Sequence, residues 1–372
     1  MTQSYAVGVK TALRPSEYKQ KEVPLAWSNL LRSSVPEQLP TVKNCRKEFS
    51  LYVCPNGHHI FRASLCKSAV CYVCSRVYTE GLVEDSIQFM RQIYSHVRGK
   101  IRYGEGEFTL PRDLWTRVRD EDLKVLRKMA MGALKEIFGG CTRGELCDCE
   151  ARGVSHAQRF EIGGNISVHF WHSSNPFEGW YPHIHYTLFD LAFDRVEHRF
   201  VRLKMYLEGD AHQRLRQLWK RRLEAVFGVT SARDVDIHFH YQAGLGHLYH
   251  RLRYEYREPV VDFYKYATEV VQPVQFDAQW VRRALLGRKH EKHVVWFGWL
   301  ADCVRYKYLK LIDLDLPKKK ERDKERRKTT CPLCGLELEY SSGGFSFESI
   351  EKLGDGVILG YRPFGGGEYG LG

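Results

Sequence analysis

Apolar positions along this chain recur at two spacings, and each spacing predicts a different element. Between residues 120 and 138, Leu123, Val125, Leu126, Met129, Leu134 and Ile137 mark the apolar stripe of a helix. Residues 80–96, 211–227 and 260–269 predict further helices, the last free of Pro and Gly. Apolar runs around Phe108 and at residues 166–171, 184–189 and 235–241 predict strands. The Ser173-Ser174-Asn175-Pro176 cluster is a turn, so the strands on either side of it can pair antiparallel. Two helices packed on one face of such a sheet give an α+β layer architecture.

The same pass divides the chain into four parts. Residues 1–45 are polar, carry Pro15, Pro24, Pro36 and Pro40, and predict a loosely held arm. Residues 46–100 hold a cysteine cluster and the 80–96 helix. Residues 101–275 form the alternating core. Residues 276–372 predict helical segments around Trp280 and Trp299, then a mixed-charge run at 318–328 that is expected to be a solvated linker or helix, a Cys-x-x-Cys knuckle, and a flexible Gly-rich tail at 365–372. There is no internal repeat.

Composition adds a partner class. The chain has 372 residues, 43% of them hydrophobic, enough for a sizeable core and two or three domains. It carries 57 Lys and Arg against 45 Asp and Glu, a net charge of +12. That excess draws the protein to a polyanion without conferring sequence specificity. No apolar run approaches twenty residues, so no membrane span is expected. Met1-Thr2-Gln3-Ser4-Tyr5 lacks the basic and apolar regions of a signal peptide, and the expected compartment is the cytosol.

Candidate chemistry begins at Pro182-His183-Ile184-His185-Tyr186. Successive side chains of a strand point to opposite faces, so His183 and His185 share a face and Ile184 points into the core behind them. Two neutral imidazoles on a rigid strand suit one divalent cation. Downstream, Asp262 and Tyr266 are four residues apart on the 260–269 helix and share its face, with Glu269 further along. A tyrosine beside a carboxylate, combined with a two-histidine metal site, is a set of parts for phosphodiester transesterification through a phosphotyrosine.

At these residues the chain resembles the HUH endonucleases, and within them the rolling-circle replication initiators of plasmids. Three family motifs occur in order: Glu107-Phe108-Thr109-Leu110-Pro111, then His183-Ile184-His185, then Asp262-Phe263-Tyr264-Lys265-Tyr266. The resemblance covers residues 54–300. It implies a core of the RRM or ferredoxin-like kind, Mg²⁺ or Mn²⁺ on the histidine pair, and Tyr266 nicking one strand of origin DNA. It also implies a third ligand upstream of the pair. His169, in Val168-His169-Phe170-Trp171-His172, matches that position, while His172 falls on the opposite face of a regular strand. Two departures stand out. Asp262 occupies the place where related transposases carry a second tyrosine, and Glu269 stands where a Lys or Arg is usual. The function expected is therefore that of a single-tyrosine initiator, with Asp262 or Glu269 orienting or deprotonating the phenol. A transposase or mobilisation relaxase is the alternative within the class. A zinc-ribbon nucleic-acid-binding protein with an inactive HUH site is the alternative outside it.

Eleven cysteines in a basic chain of this expected compartment suggest metal rather than disulfides. Cys54-Pro55-Asn56-Gly57-His58-His59, Cys66 and Cys71-Tyr72-Val73-Cys74 predict a structural Zn²⁺ site. Cys71 and Cys74 are its firmest ligands, and Cys54 with one of His58, His59 or Cys66 would complete four. A similar cysteine-rich module precedes the nuclease core in archaeal plasmid initiators and related transposases. Cys141, Cys147, Cys149 and His156 form a second candidate zinc site. Cys331-Pro332-Leu333-Cys334 is a half-site that Cys303 or another segment would have to close, or else a partner-dependent knuckle.

Overall fold

The computed structural model describes residues 10–13, 23–115, 117–118, 120–141, 148–169, 181–203, 210–229, 235–257, 259–269, 278–286, 294–301, 330–353 and 356–361. The strands are β1 (Lys10–Leu13), β2 (Glu48–Val53), β3 (His59–Ala63), β4 (Arg102–Phe108), β5 (Phe160–His169), β6 (His183–Asp194), β7 (Arg199–Arg202), β8 (Ile237–Ala243), β9 (Val294–Gly298), β10 (Glu339–Ser346) and β11 (Val357–Tyr361). The helices are α1 (Leu25–Ser34), α2 (Leu39–Lys43), α3 (Tyr72–His96), α4 (Arg112–Trp115), α5 (Asp120–Phe138), α6 (Asp210–Phe227), α7 (Leu245–Glu255), α8 (Pro259–Glu269), α9 (Ala278–Leu286) and α10 (Phe347–Leu353). The protein is α+β. Among the described residues, no helix is long and apolar enough to cross a membrane.

The chain divides into two compact units that do not follow chain order. One comprises residues 1–80, 263–286 and 317–372, and the other residues 81–262 and 287–316. Two of the boundaries fall inside α3 and α8.

The second unit is built on a sheet of order β8-β4-β6-β5-β9, with β7 pairing the far part of β6. All these pairs are antiparallel. Every residue of the twelve-residue β6 is buried, which requires cover on both faces. Phe189, Leu191 and Phe193 pack with Val83, Met90 and Ile93 of α3 and Leu248 and Leu252 of α7. On the other face, Tyr186 and Phe108 meet at 5.0 Å, and Phe108 meets Trp219 of α6 at 4.8 Å. Helices therefore lie on both faces, not on one as the sequence pattern suggested. The missing layer is α7, whose Leu248, Leu252 and Glu255 are buried at helical spacing. In α5, Leu123, Leu126, Met129 and Leu134 are buried, whereas Val125 faces outward.

Ile184 is fully buried, and the unbroken pairing of β6 with β4 and β5 through residues 183–185 sets its side chain on the face opposite His183 and His185. Ile184→Asp would place an uncompensated carboxylate in this core. A loss of roughly 4 kcal/mol or more is expected, read as a lowered urea midpoint. A variant with wild-type stability would contradict the orientation.

The first unit has a sheet of order β1-β11-β3-β2-β10, in which only β11–β3 is parallel. Strands from both ends of the chain thus complete one sheet. Its core includes Phe49, Phe61, Ile350 and Ile358. The expected loose arm contains β1 and two helices: α1 and the turn after it bury Trp27, Leu31 and Val35, and α2 buries Val42. These positions recur every four residues up to Val35, a helical stripe that the prolines obscured. The expected helical C-terminal region keeps α9, which contains Trp280. Trp299, however, follows the strand β9, and residues 339–361 are mainly strand. The 318–328 run and the 365–372 tail lie outside the described residues.

Candidate metal centres

Among the described residues, four groups of Cys and His bring their ligand atoms within 4.8 Å of one another. Two of them lie in the first unit and rearrange the cysteine grouping expected from the sequence. Cys45, Cys66, Cys71 and Cys74 form one, and Cys54, His58, Cys331 and Cys334 form the other. Ideal tetrahedral zinc, with Zn–S near 2.3 Å, sets sulfurs about 3.8 Å apart. Here Cys45–Cys74 is 3.7 Å, Cys66–Cys74 is 3.6 Å and Cys54–Cys334 is 3.6 Å. His58 Nδ1 lies 3.3 Å from Cys54 Sγ and 3.5 Å from Cys331 Sγ. These are spacings for a shared cation, and both sets are chemically suited to Zn²⁺.

Local sequence builds both groups. In Cys54-Pro55-Asn56-Gly57-His58 the Gly57 amide donates to Cys54 O (2.8 Å) and Gly57 takes a φ of 76°. Cys331-Pro332-Leu333-Cys334-Gly335 makes a turn one residue longer: the Gly335 amide donates to Cys331 O (2.8 Å) with φ 75°. The half-site at Cys331 is therefore closed within the chain, by Cys54 and His58. Cys303 lies outside the described residues. His59 is exposed on β3 and joins neither group. Cys71 and Cys74 sit at the start of α3, where the helix dipole favours thiolates. Accepting from Cys71 and Cys74 holds the Cys45 thiol down at about 2, while the Cys74 thiol, donating to Cys45, is pushed up to about 12. One negative charge is thus easily carried and further ones are not, until a cation compensates them. Cys45 is the member of this group that sequence reading missed. It stands nine residues before Cys54 and outside any paired motif.

The second unit holds the other two groups. Cys141 and Cys149 approach to 3.4 Å, with His156 as a third donor. Cys147 lies outside the described residues. The last group is His169, His183 and His185, all buried. The β5–β6 register sets His169 directly opposite His183, as the antiparallel expectation required. His172 lies outside the described residues.

Hydrogen bonding fixes the roles of the ring nitrogens. His183 Nδ1 donates to Tyr181 O (2.7 Å), leaving Nε2 as a lone pair. His169 Nε2 donates to Glu255 O (3.2 Å), which puts the lone pair of the neutral ring on Nδ1. His185 Nδ1 accepts from Arg251 Nη2 (3.2 Å), because a guanidinium can only donate. His185 Nε2 therefore carries a proton toward His183 Nε2, 2.8 Å away. A cation held by all three rings would replace that proton, and Arg251 would yield His185 Nδ1. Arg251 keeps other partners: Glu255 (2.8 Å), Gly106 O (3.1 Å) and Glu105 (3.6 Å). Burial, then His169, His183 and the Arg251 and Arg257 guanidinium groups, hold the His185 imidazole well below its usual value. It is therefore neutral, the form that ligates. Burial pushes the Glu255 carboxyl up, against Arg251 and a hydrogen bond from Thr187 (2.8 Å).

Helix α7 supplies residues that the sequence reading passed over. Besides Arg251 and Glu255, it brings the Tyr254 ring to 5.1 Å from both His169 and His185. Its signal was present in the Leu245, Leu248 and Leu252 spacing. Glu107 of β4 lies opposite His185 and accepts from the Tyr181 hydroxyl (3.3 Å). Asp262 and Tyr266 both fall on α8, one turn apart as expected. Asp262 is ion-paired with Arg257 (2.8 Å). The side chains of Tyr266 and Glu269 lie outside the described part. Tyr264 stacks on Tyr72 at 3.8 Å and meets Trp27 edge-on at 5.7 Å. Comparison with models of known families, with curated proteins and with solved structures finds no match to this chain.

Proposed function

We propose that this chain is a metal-dependent DNA nicking and closing enzyme of the HUH kind, acting as a rolling-circle replication initiator. The observation that carries the reading is the buried His169–His183–His185 cluster on adjoining antiparallel strands, with donor nitrogens within 4.8 Å. A sheet whose central strand bears the histidine pair, covered by helices, is compatible with an HUH core. Mg²⁺ or Mn²⁺ held by the three histidines would polarise the scissile phosphate. Tyr266 is the proposed nucleophile. Its phenolate oxygen forms a bond to phosphorus, the bond to the 3′ oxygen breaks, and the chain keeps the 5′ phosphate while a 3′-OH is released to prime synthesis. Asp262 or Glu269 would take the phenolic proton, and the departing 3′ oxygen would receive a proton from solvent. The net charge of +12 suits a DNA partner.

His183→Ala with His185→Ala is expected to abolish nicking of a single-stranded origin library and to weaken Mn²⁺ binding by about tenfold or more, without unfolding the chain. Calorimetric Mn²⁺ titration beside a denaturing-gel nicking assay checks this. Unchanged nicking in that variant would remove the histidines from the chemistry. One observation favours a second reading, a zinc-stabilised nucleic-acid-binding protein without nuclease activity. Arg251 places a positive charge against His185, whereas the cysteine groups already have zinc-like spacing. Binding of DNA without any Mn²⁺-dependent nicking would establish that reading instead.

A further inference from the structure

The sheet of the first unit has a face opposite its Phe49–Phe61 core. There β2 and β10 set Tyr52 directly opposite Tyr340, with ring centroids 5.7 Å apart and nearly perpendicular planes. On β3, Arg62 lies opposite Ser50 and shares the Tyr52 face, because Tyr52 pairs with Ile60 two residues earlier. Its guanidinium stands 5.3 Å over the Tyr52 ring. Tyr340 is 63% exposed. Its hydroxyl reaches back over its own strand, where a Cβ added to Gly343 would lie 3.0 Å from it. The ring therefore lies along β10 above a residue that has no side chain.

The Cys54–His58–Cys331–Cys334 group fixes the strands that carry this pair. Cys54 follows β2 two residues after Tyr52, and Cys331 and Cys334 lead into β10. Tyr52 packs on the same small cluster as Cys54, Cys331 and Cys334. Charge along the β2–β3 segment is mainly basic, although Glu337 and Glu339 stand just before Tyr340 on the β10 side. Between residues 46 and 76 stand Arg46, Lys47, Arg62, Lys67 and Arg76, against Glu48 alone.

We infer that this face is a stacking platform for single-stranded nucleic acid: Tyr340 takes a base, and Arg62, held over Tyr52, meets the phosphate beside it. Every base has a π-face, so a tyrosine platform tolerates any sequence, and a guanidinium supplies the attraction to the backbone. The inference rests on the nucleic-acid part of the proposed function but not on the Tyr266 chemistry.

The test is fluorescence anisotropy of a labelled oligothymidylate with the intact zinc-loaded chain. A stacked base is worth about 1–3 kcal/mol, so Tyr340→Ala should weaken binding by about 5- to 150-fold. Tyr340→Phe, which keeps the ring, should bind within about twofold of wild type. Arg62→Ala should weaken binding and reduce its salt dependence by about one phosphate contact. Zinc content, measured in parallel, must stay unchanged in Tyr340→Ala, so that the loss reads the ring and not the fold. Oligothymidylate binding unaffected by Tyr340→Ala, or lost only together with zinc, would overturn the inference. A chain that binds through Tyr340 yet never forms a DNA adduct keeps the platform and loses the nicking. A chain that nicks and is indifferent to Tyr340→Ala does the reverse.

Discussion

Tyr266→Phe is expected to abolish the covalent protein–DNA adduct, by about 10⁴-fold or more, while DNA binding survives. Phe keeps the ring and removes only the oxygen that would attack phosphorus. Two rivals sharpen the test. Tyr264 lies about 200° round α8 from Tyr266 at roughly 100° per residue, and its ring is committed to Tyr72 and Trp27. Tyr264→Phe preserves both ring contacts and should leave nicking intact. Tyr254 stands against His169 and His185, and Tyr254→Phe should also keep adduct formation. If Tyr254→Phe kills the adduct and Tyr266→Phe does not, the nucleophile is on α7 and the Asp262-x-x-x-Tyr266 motif is not catalytic.

The second large effect is on zinc. Cys71→Ser and Cys54→Ser belong to separate groups in the structure, so each should lose one equivalent of zinc and the double variant two. Had both cysteines served one site, as their sequence proximity suggests, the double variant would lose no more than either single one. Elemental analysis of freshly purified reduced protein decides between them. The consequences should differ too. Structural zinc supplies folding energy on the order of 10–16 kcal/mol in small modules. Cys54→Ser, like Cys334→Ser, should therefore loosen residues 330–361, whose β10 and β11 complete a sheet with β2 and β3. Limited proteolysis would show new cuts there. Cys71→Ser should instead expose the segment around Cys45 and Cys66. Protein that contains no zinc would remove both expectations and leave the histidine cluster untouched.

Much of the second unit was legible because its elements obey local periodicity. α5 begins and ends where its apolar stripe does, and the alternation at His183-Ile184-His185 correctly turned Ile184 inward. His169 was placed by the same rule once β5 and β6 were taken as antiparallel. The failures share a physical cause: they depend on contacts distant in sequence. No local pattern tells Cys54 that its partner is Cys334, 280 residues away. None tells Val357 and Ile358 that they join β3. The reach of Arg251 to His185 Nδ1 likewise appears only when α7 is packed on the sheet. In the N-terminal segment, four prolines outweighed an apolar spacing that buries Trp27 and Leu31.

The most direct measurement is to map the adduct. The intact chain is incubated with a single-stranded origin library and Mn²⁺, the DNA is trimmed with nuclease, and the tryptic peptides are read by mass spectrometry. A 5′-linked nucleotide on the peptide containing Tyr266, absent when the metal is chelated and absent in His183→Ala with His185→Ala, is the expected result. An adduct on another residue, cleavage that leaves no adduct, or modification of Tyr266 that persists without metal would contradict a tyrosine nuclease working through the three-histidine site.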